Sequence, residues 1–161
     1  MKAPIRRPEQ ILAYRSLAKI LGTDARTIWS VAPADSAHRA VQLMAAKDIG
    51  LVVVLDRDAL VGVLSERDCV RRVLGPGRSL EQTPVSEIMA RDVVAVTLDD
   101  TFADCLRLMH VNRIRHLPVM RGTRVVAVIS VRDLLGEAVE HHRKIIDELE
   151  RERLTIFTST A

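Results

Sequence analysis

The chain has 161 residues, a formal net charge of +3 and a hydrophobic content of 48%, with aromatics at only 2%. That balance excludes a mainly disordered chain and calls for an aliphatic core in one domain or two small ones. The basic residues are dispersed, with no Lys/Arg block and no interleaved aromatics, which disfavours nucleic acid and leaves room for a small anionic ligand. Cys69 and Cys105 form neither a C-x-x-C pair nor a disulfide framework, which favours a reducing compartment. With no signal peptide and no apolar run long enough for a bilayer, a soluble cytoplasmic protein is expected, with no membrane partner.

Residues 1 to 7 are basic lead-in. Pro8 and Glu9 suit a first helical turn, and the apolar stripe from Ile11 to Leu21 predicts a helix ending at Gly22. Thr27 to Val31 reads as a short strand stopped by Pro33. Ser36 is a candidate N-cap for a helix closed by Gly50. Leu51 to Leu55 is continuously apolar, as in a strand buried on both faces. A turn at 56–58 leads to a strand over Leu60 to Leu64. After Ser65 a helix is expected through Val73, stopping at Gly75-Pro76-Gly77, followed by a polar linker over Arg78 to Pro84.

The pattern then returns. Val93 to Thr97 reads as a strand, Thr101 opens a helix, and Leu117 to Met120 and Val125 to Ile129 read as strands around Arg121-Gly122. The last helix begins after Ser130. Leu135, Val139, His142, Ile146 and Leu149 carry it through a charged stretch to about Arg153. Such a seam suits an oligomer contact or a lid. Thr155 to Ala161 reads as a loose end.

Residues 31–70 align with residues 96–135 without a gap, and 11 of the 40 pairs are identical, including Asp35/Asp100, Met44/Met109, Ser65/Ser130, Arg67/Arg132 and Asp68/Asp133. Each copy is β-α-β-β-α and too small to be comfortable alone. The expected fold class is therefore α+β (mixed α/β): tandem repeats packed with approximate two-fold symmetry, with a cleft on each side. Expected boundaries are 1–25 for the N-terminal helix and lead-in, 26–86 for the first repeat with its linker, 87–138 for the second, and 139–161 for a C-terminal helical extension and tail.

Both copies end on V-[GA]-V-[LI]-S-x-R-D, at Val61 to Asp68 and Val126 to Asp133. Ser-x-x-Asp has two readings. It can be a capping box and nothing more. It can also set a hydroxyl and the positive end of a helix beside a phosphate, with the carboxylate one turn on accepting ribose hydroxyls.

The duplicated V-x-V-[LI]-S-x-R-D ends, P-V-S-E-I-M at 84–89 and R-I-R-H-L-P-V at 113–119 together resemble paired cystathionine-β-synthase (CBS) domains, the Bateman module, in its small stand-alone bacterial form. The resemblance covers about residues 26–137. It implies binding of an adenosine nucleotide, AMP, ADP, ATP or NAD, between the repeats, and a homodimer of CBS pairs. Carried over by position, one cleft combines Ser130, Arg132, Asp133 and Val128 with Arg115, His116, Thr27, Ile28, Trp29, Ile49, Gly50 and Leu51. The second combines Ser65, Arg67 and Asp68 with Ile114, Asp92, Val93 and Val94. Asp133 and Asp68 fall at the ribose position, Ser130 and Ser65 near the phosphate. The first cleft ranks higher, because it gathers cations and an indole face whereas Asp92 repels phosphate.

No catalytic or metal constellation stands out: there is no H-E-x-x-H, P-loop, G-x-S-x-G or G-x-G-x-x-G. A regulatory nucleotide sensor, acting on its own dimer or on an unidentified protein, is the leading expectation. A ligand-free structural or oligomerisation protein working through its C-terminal helix is the alternative.

Overall fold

The computed structural model describes residues 12–22 and 27–158, with side chains as far as Arg151. The expected helix start at Pro8, its Ile11, and the Arg26 start of the first repeat lie outside the described residues. The architecture is α+β, with two three-stranded sheets and helices between the strands. The described residues fall into two compact units. One consists of residues 27–98 and 116–128, the other of residues 12–22, 99–115 and 129–158.

In the first sheet β1 (Ser30–Val31) pairs in parallel with β2 (Leu51–Asp56), and β2 pairs antiparallel with β3 (Ala59–Ser65). Helix α2 (Ala37–Lys47) makes the crossover that a parallel pair requires. The second sheet repeats this with β4 (Val96–Thr97), β5 (His116–Arg121) and β6 (Arg124–Ser130), and α5 (Phe102–Asn112) as its crossover. Even the register is duplicated: Val31 pairs with Val54, and Val96 with Val119. All four are buried valines, suited to strands covered on both faces.

Two expected strands are shorter than their apolar runs. Of Thr27 to Val31 only Ser30 and Val31 form a ladder, although the Trp29 carbonyl accepts the Val53 amide at 3.3 Å. Of Val93 to Thr97 only Val96 and Thr97 pair, while Ala90 upstream is bridged to Val63 of β3. Gly62 makes that crossing possible. A methyl group there would stand 2.7 Å from Met89 Sδ and 2.9 Å from the Ala90 carbonyl oxygen.

Gly50 does not close α2. Asp48 does, in the left-handed conformation (φ 52°), donating its amide to Ala45 and Met44, and Arg113 (φ 54°) closes α5 in the same way. The N-terminal stripe is not one helix: a short turn at Leu12–Tyr14 precedes α1 (Leu17–Leu21), which ends at Gly22 (φ 70°) as expected. The break lets Arg15 and Leu17 meet the start of α5, where Phe102 N–H donates to Arg15 O and Leu17 N–H to Asp100 O. After Ser65, α3 (Glu66–Cys69) passes into a π turn over Val70–Leu74. The last helix, α6 (Val131–Thr158), runs past the expected end near Arg153, so the chain from Thr155 to Thr158 is helical. Between the repeats lies α4 (Val85–Ile88). Thr83, expected in a polar linker, is buried and donates its hydroxyl to Ser79 O at 2.7 Å.

The core around the first sheet is aliphatic: Val31, Met44, Val52, Val54, Leu64 and Val73, with Val85 and Ile88 of α4, are at most 4% exposed. Trp29 and Ile49 pack against its edge.

Candidate functional site

The two strand-to-helix junctions have the same local construction. In the first, Asp68 Oδ2 accepts the Ser65 amide at 3.0 Å and the Ser65 hydroxyl at 2.6 Å, while Ser65 Oγ accepts the Asp68 amide at 3.3 Å. In the second, Asp133 Oδ2 accepts the Ser130 amide and hydroxyl, both at 2.7 Å, and Ser130 Oγ accepts the Asp133 amide at 3.2 Å. These are reciprocal capping boxes. The first helical amide is also engaged in each copy: Glu66 N–H donates to Gly50 O, and Val131 N–H to Arg115 O. Three of the donors that could face a phosphate, the serine hydroxyl and two helical amides, are therefore committed to the chain itself.

The surroundings differ. Asp68 is half-buried, and its Oδ1 lies 3.7 Å from Arg72 Nε. At the position equivalent to Arg72 the second copy has Glu137, whose carboxylate pairs with Arg15 at 2.5 Å. Asp133 and Arg132 are exposed, with Ser130 and Val128 half-buried on β6.

Residues 27–98 and 116–128 bring together parts of both repeats. A methyl group on Gly50 would stand 3.3 Å from His116 Cε1 and 3.6 Å from its Nε2. The imidazole of the second repeat thus lies over the glycine of the first, which leaves space for a ring there. Glu66 Oε2 is 3.5 Å from the same point. Sequence reasoning missed Glu66, which occupies the variable place in Ser-x-x-Asp, with Val131 as its counterpart. A carboxylate at this point competes with an anionic ligand.

Trp29 is half-buried, and Lys47 Nζ lies 4.2 Å from its ring centroid, a cation–π contact that occupies one face. Lys47 was also missed, because it reads as an ordinary last-turn helix cation. Thr27 is exposed, Ile28 half-buried and Leu51 buried in β2. Of the second set, Asp92 and Arg67 are exposed, and Val93 and Val94 half-buried outside any strand.

Ile114 and Arg115 belong to the other unit. With Met109, His110, Val111 and Arg113 they line an open depression of about 590 Å³. Three of its residues, His110, Arg113 and Arg115, are basic, which suits an anion.

Both thiols are buried, and burial is the main reason each resists ionisation. Cys69 is pushed up to about 11, helped by the Asp68 charge, and Cys105 to about 12, helped by Asp100. Both environments disfavour the thiolate at neutral pH. Among the described residues no group of three or more His, Cys, Asp or Glu could hold a metal ion, and no helix is long and apolar enough to cross a membrane.

The duplicated register and junctions have a counterpart among known proteins. The family model described as "CBS domain" matches the chain twice, over residues 25–75 and 85–140. The chain belongs to the CBS-domain family. CBS-domain proteins are in general regulatory modules that bind adenosine ligands, and CBS pairs are usually not catalytic. A CBS-domain containing mitochondrial protein of Arabidopsis thaliana, CBSX3, is 32% identical over 120 residues, which is 71% of this chain and 58% of that protein. The chain spans only 20% of a further Arabidopsis CBS relative that is 30% identical. YhcV of Bacillus subtilis is 29% identical over 73% of this chain and 84% of its own. Among solved structures, a protein with CBS domains from Burkholderia ambifaria superposes with a TM-score of 0.74 at 37% identity, covering 78% of this chain and 94% of that one. A hexameric CBS-CP12 protein from bloom-forming cyanobacteria gives 0.66 at 28% identity, over 74% of this chain and 66% of that one.

Proposed function

We propose that this CBS pair is a regulatory sensor that binds an adenosine nucleotide between its repeats and signals by a change in conformation. The observation that carries this reading is His116 lying against Gly50, an imidazole from one repeat above a residue of the other that has no side chain. In this reading Asp133 accepts the ribose hydroxyls. Ser130, Arg132, Arg115 and His116 serve the phosphate. Ile49, Gly50, Leu51 and Trp29 serve the base. The Asp68 set ranks second, since it includes Asp92, whose charge repels a phosphate. Signalling follows if the ligand has unequal affinity for two arrangements of the repeats, which shifts their populations. The protein acts as a homodimer of CBS pairs in a reducing, cytoplasmic setting.

Titration of AMP, ADP, ATP and NAD into the purified chain, read by calorimetry and by melting temperature, tests the proposal. Heat and a melting shift with at least one of them are expected. Absence of both at millimolar concentration of every ligand refutes it. A second reading, a ligand-free oligomerisation protein, is favoured by one observation: Leu135, Val139, Ile146 and Leu149 of α6 are exposed.

A further inference from the structure

Helix α6 carries an apolar stripe that its own chain leaves uncovered. Leu135, Val139, Ile146 and Leu149 are 59, 70, 55 and 54% exposed. With His142 they follow one another at spacings of four, three, four and three, so all five fall in a single heptad seam. A different side of α6 meets the rest of its unit: Leu134 is 1% exposed, and Glu137 holds Arg15. The CBS family match stops at residue 140, whereas α6 continues to Thr158. The pattern beyond residue 140 therefore serves something outside the repeat fold.

We propose that α6 pairs along this seam with α6 of a second copy of this chain, as a parallel two-stranded coiled coil. The seam places Val139 and Ile146 at the a positions and Leu135, His142 and Leu149 at d. In a parallel pair, β-branched residues at a with leucine at d favour two strands. His142 is the polar member of the seam, its Nδ1 2.8 Å from the Ala138 carbonyl oxygen of its own helix. The pairing is self-complementary, as a two-fold dimer requires.

Charge does not oppose the pairing, and the area suits it. In this register Ala138 faces Arg143 of the second copy and Ile145 faces Glu150 of the second copy, so no like charges meet. Glu140 and Lys144 pair with each other on the outer side at 3.7 Å. The four exposed apolar residues present on the order of 400 Å² per chain, within the range of functional patches on monomers. Seam-to-seam contact removes roughly twice that before Ile145 and the stems of Arg143 and Glu150 are added, which approaches the ~1,200 Å² of the smaller specific interfaces.

Cysteine cross-linking of the full chain tests the seam and its direction, since both native thiols are buried. Under mild oxidation Leu149→Cys, at a d position, is expected to give a disulfide-linked species of twice the 17.9 kDa chain mass. Glu148→Cys, one residue off the seam, is expected to stay uncross-linked. Adding Val139→Glu and Ile146→Glu to Leu149→Cys should abolish the cross-link while the main melting transition is retained. No cross-link at 149, equal cross-linking at 148 and 149, or a cross-link that survives the two glutamates overturns the proposal. None of these readouts depends on nucleotide binding.

Discussion

Replacing Asp133 with alanine separates a helix cap from a ligand group. The carboxylate accepts the Ser130 amide and hydroxyl at 2.7 Å each. Losing that cap costs about 1 kcal/mol, or ~2–4 °C in Tm for a chain of this size. If the same carboxylate accepts ribose hydroxyls, charge-assisted bonds of about 1.5–3 kcal/mol are lost as well. At ~1.4 kcal/mol per tenfold, AMP affinity should fall by one to two orders of magnitude. Asp68→Ala loses an equivalent cap and an ion pair to Arg72 that is partly exposed and worth little. It should match the Tm loss but change AMP affinity less than about threefold, the range of a sub-kcal/mol effect. Asp133→Asn keeps an oxygen for the Ser130 amide, so it should recover most of the Tm and little of the affinity. Calorimetric titration with AMP beside thermal melts of the three variants reads both quantities. Wild-type affinity in all three, or a larger loss at Asp68 than at Asp133, refutes the assignment.

Four further outcomes are expected. Gly62→Ala forces a methyl group against Met89 Sδ and the Ala90 carbonyl, which should destabilise by about 1–3 kcal/mol in urea titrations; a stability equal to wild type would show that the bridge to Val63 gives way freely. Glu66→Gln removes the carboxylate beside His116 and Gly50, so affinity for AMP should rise several-fold in the same titration; a fall would give Glu66 a supporting role instead. The two thiols, raised by burial to about 11 and about 12, should resist a thiol-specific reagent at pH 8 until denaturant is added, and fast labelling of the native chain would contradict the buried core. The Thr101 hydroxyl and amide hold the Asp104 carboxyl below its usual range. A carboxylate with a lowered folded pKa stabilises above its unfolded pKa, and that contribution is lost as the pH falls through the folded value. The stability gap between wild type and Asp104→Asn should therefore be constant near neutrality and shrink in acid; a gap that widens in acid would reverse the sign.

The sequence by itself determined the duplication, the α+β class and the order of the elements. Those features rest on local periodicity and on identical residues at a constant offset, and Val31, Val54, Val96 and Val119 pair as that offset requires. It also determined the capping geometry of both Ser-x-x-Asp units, because a serine hydroxyl and a carboxylate three residues on need only each other. What the tertiary structure decided are contacts between residues far apart in the chain. The shortness of β1 and β4 was not legible, since whether an apolar run joins a ladder depends on the strand beside it. Nor was the role of Gly62, which a crossing backbone requires. The imidazole of His116 over Gly50, Glu66 beside both, and Lys47 on the face of Trp29 each join side chains whose separation in sequence carries no signal. The two junctions that read as near copies are chemically unequal for the same reason: Arg72 attends Asp68, while Glu137, at the matching place, is turned to Arg15.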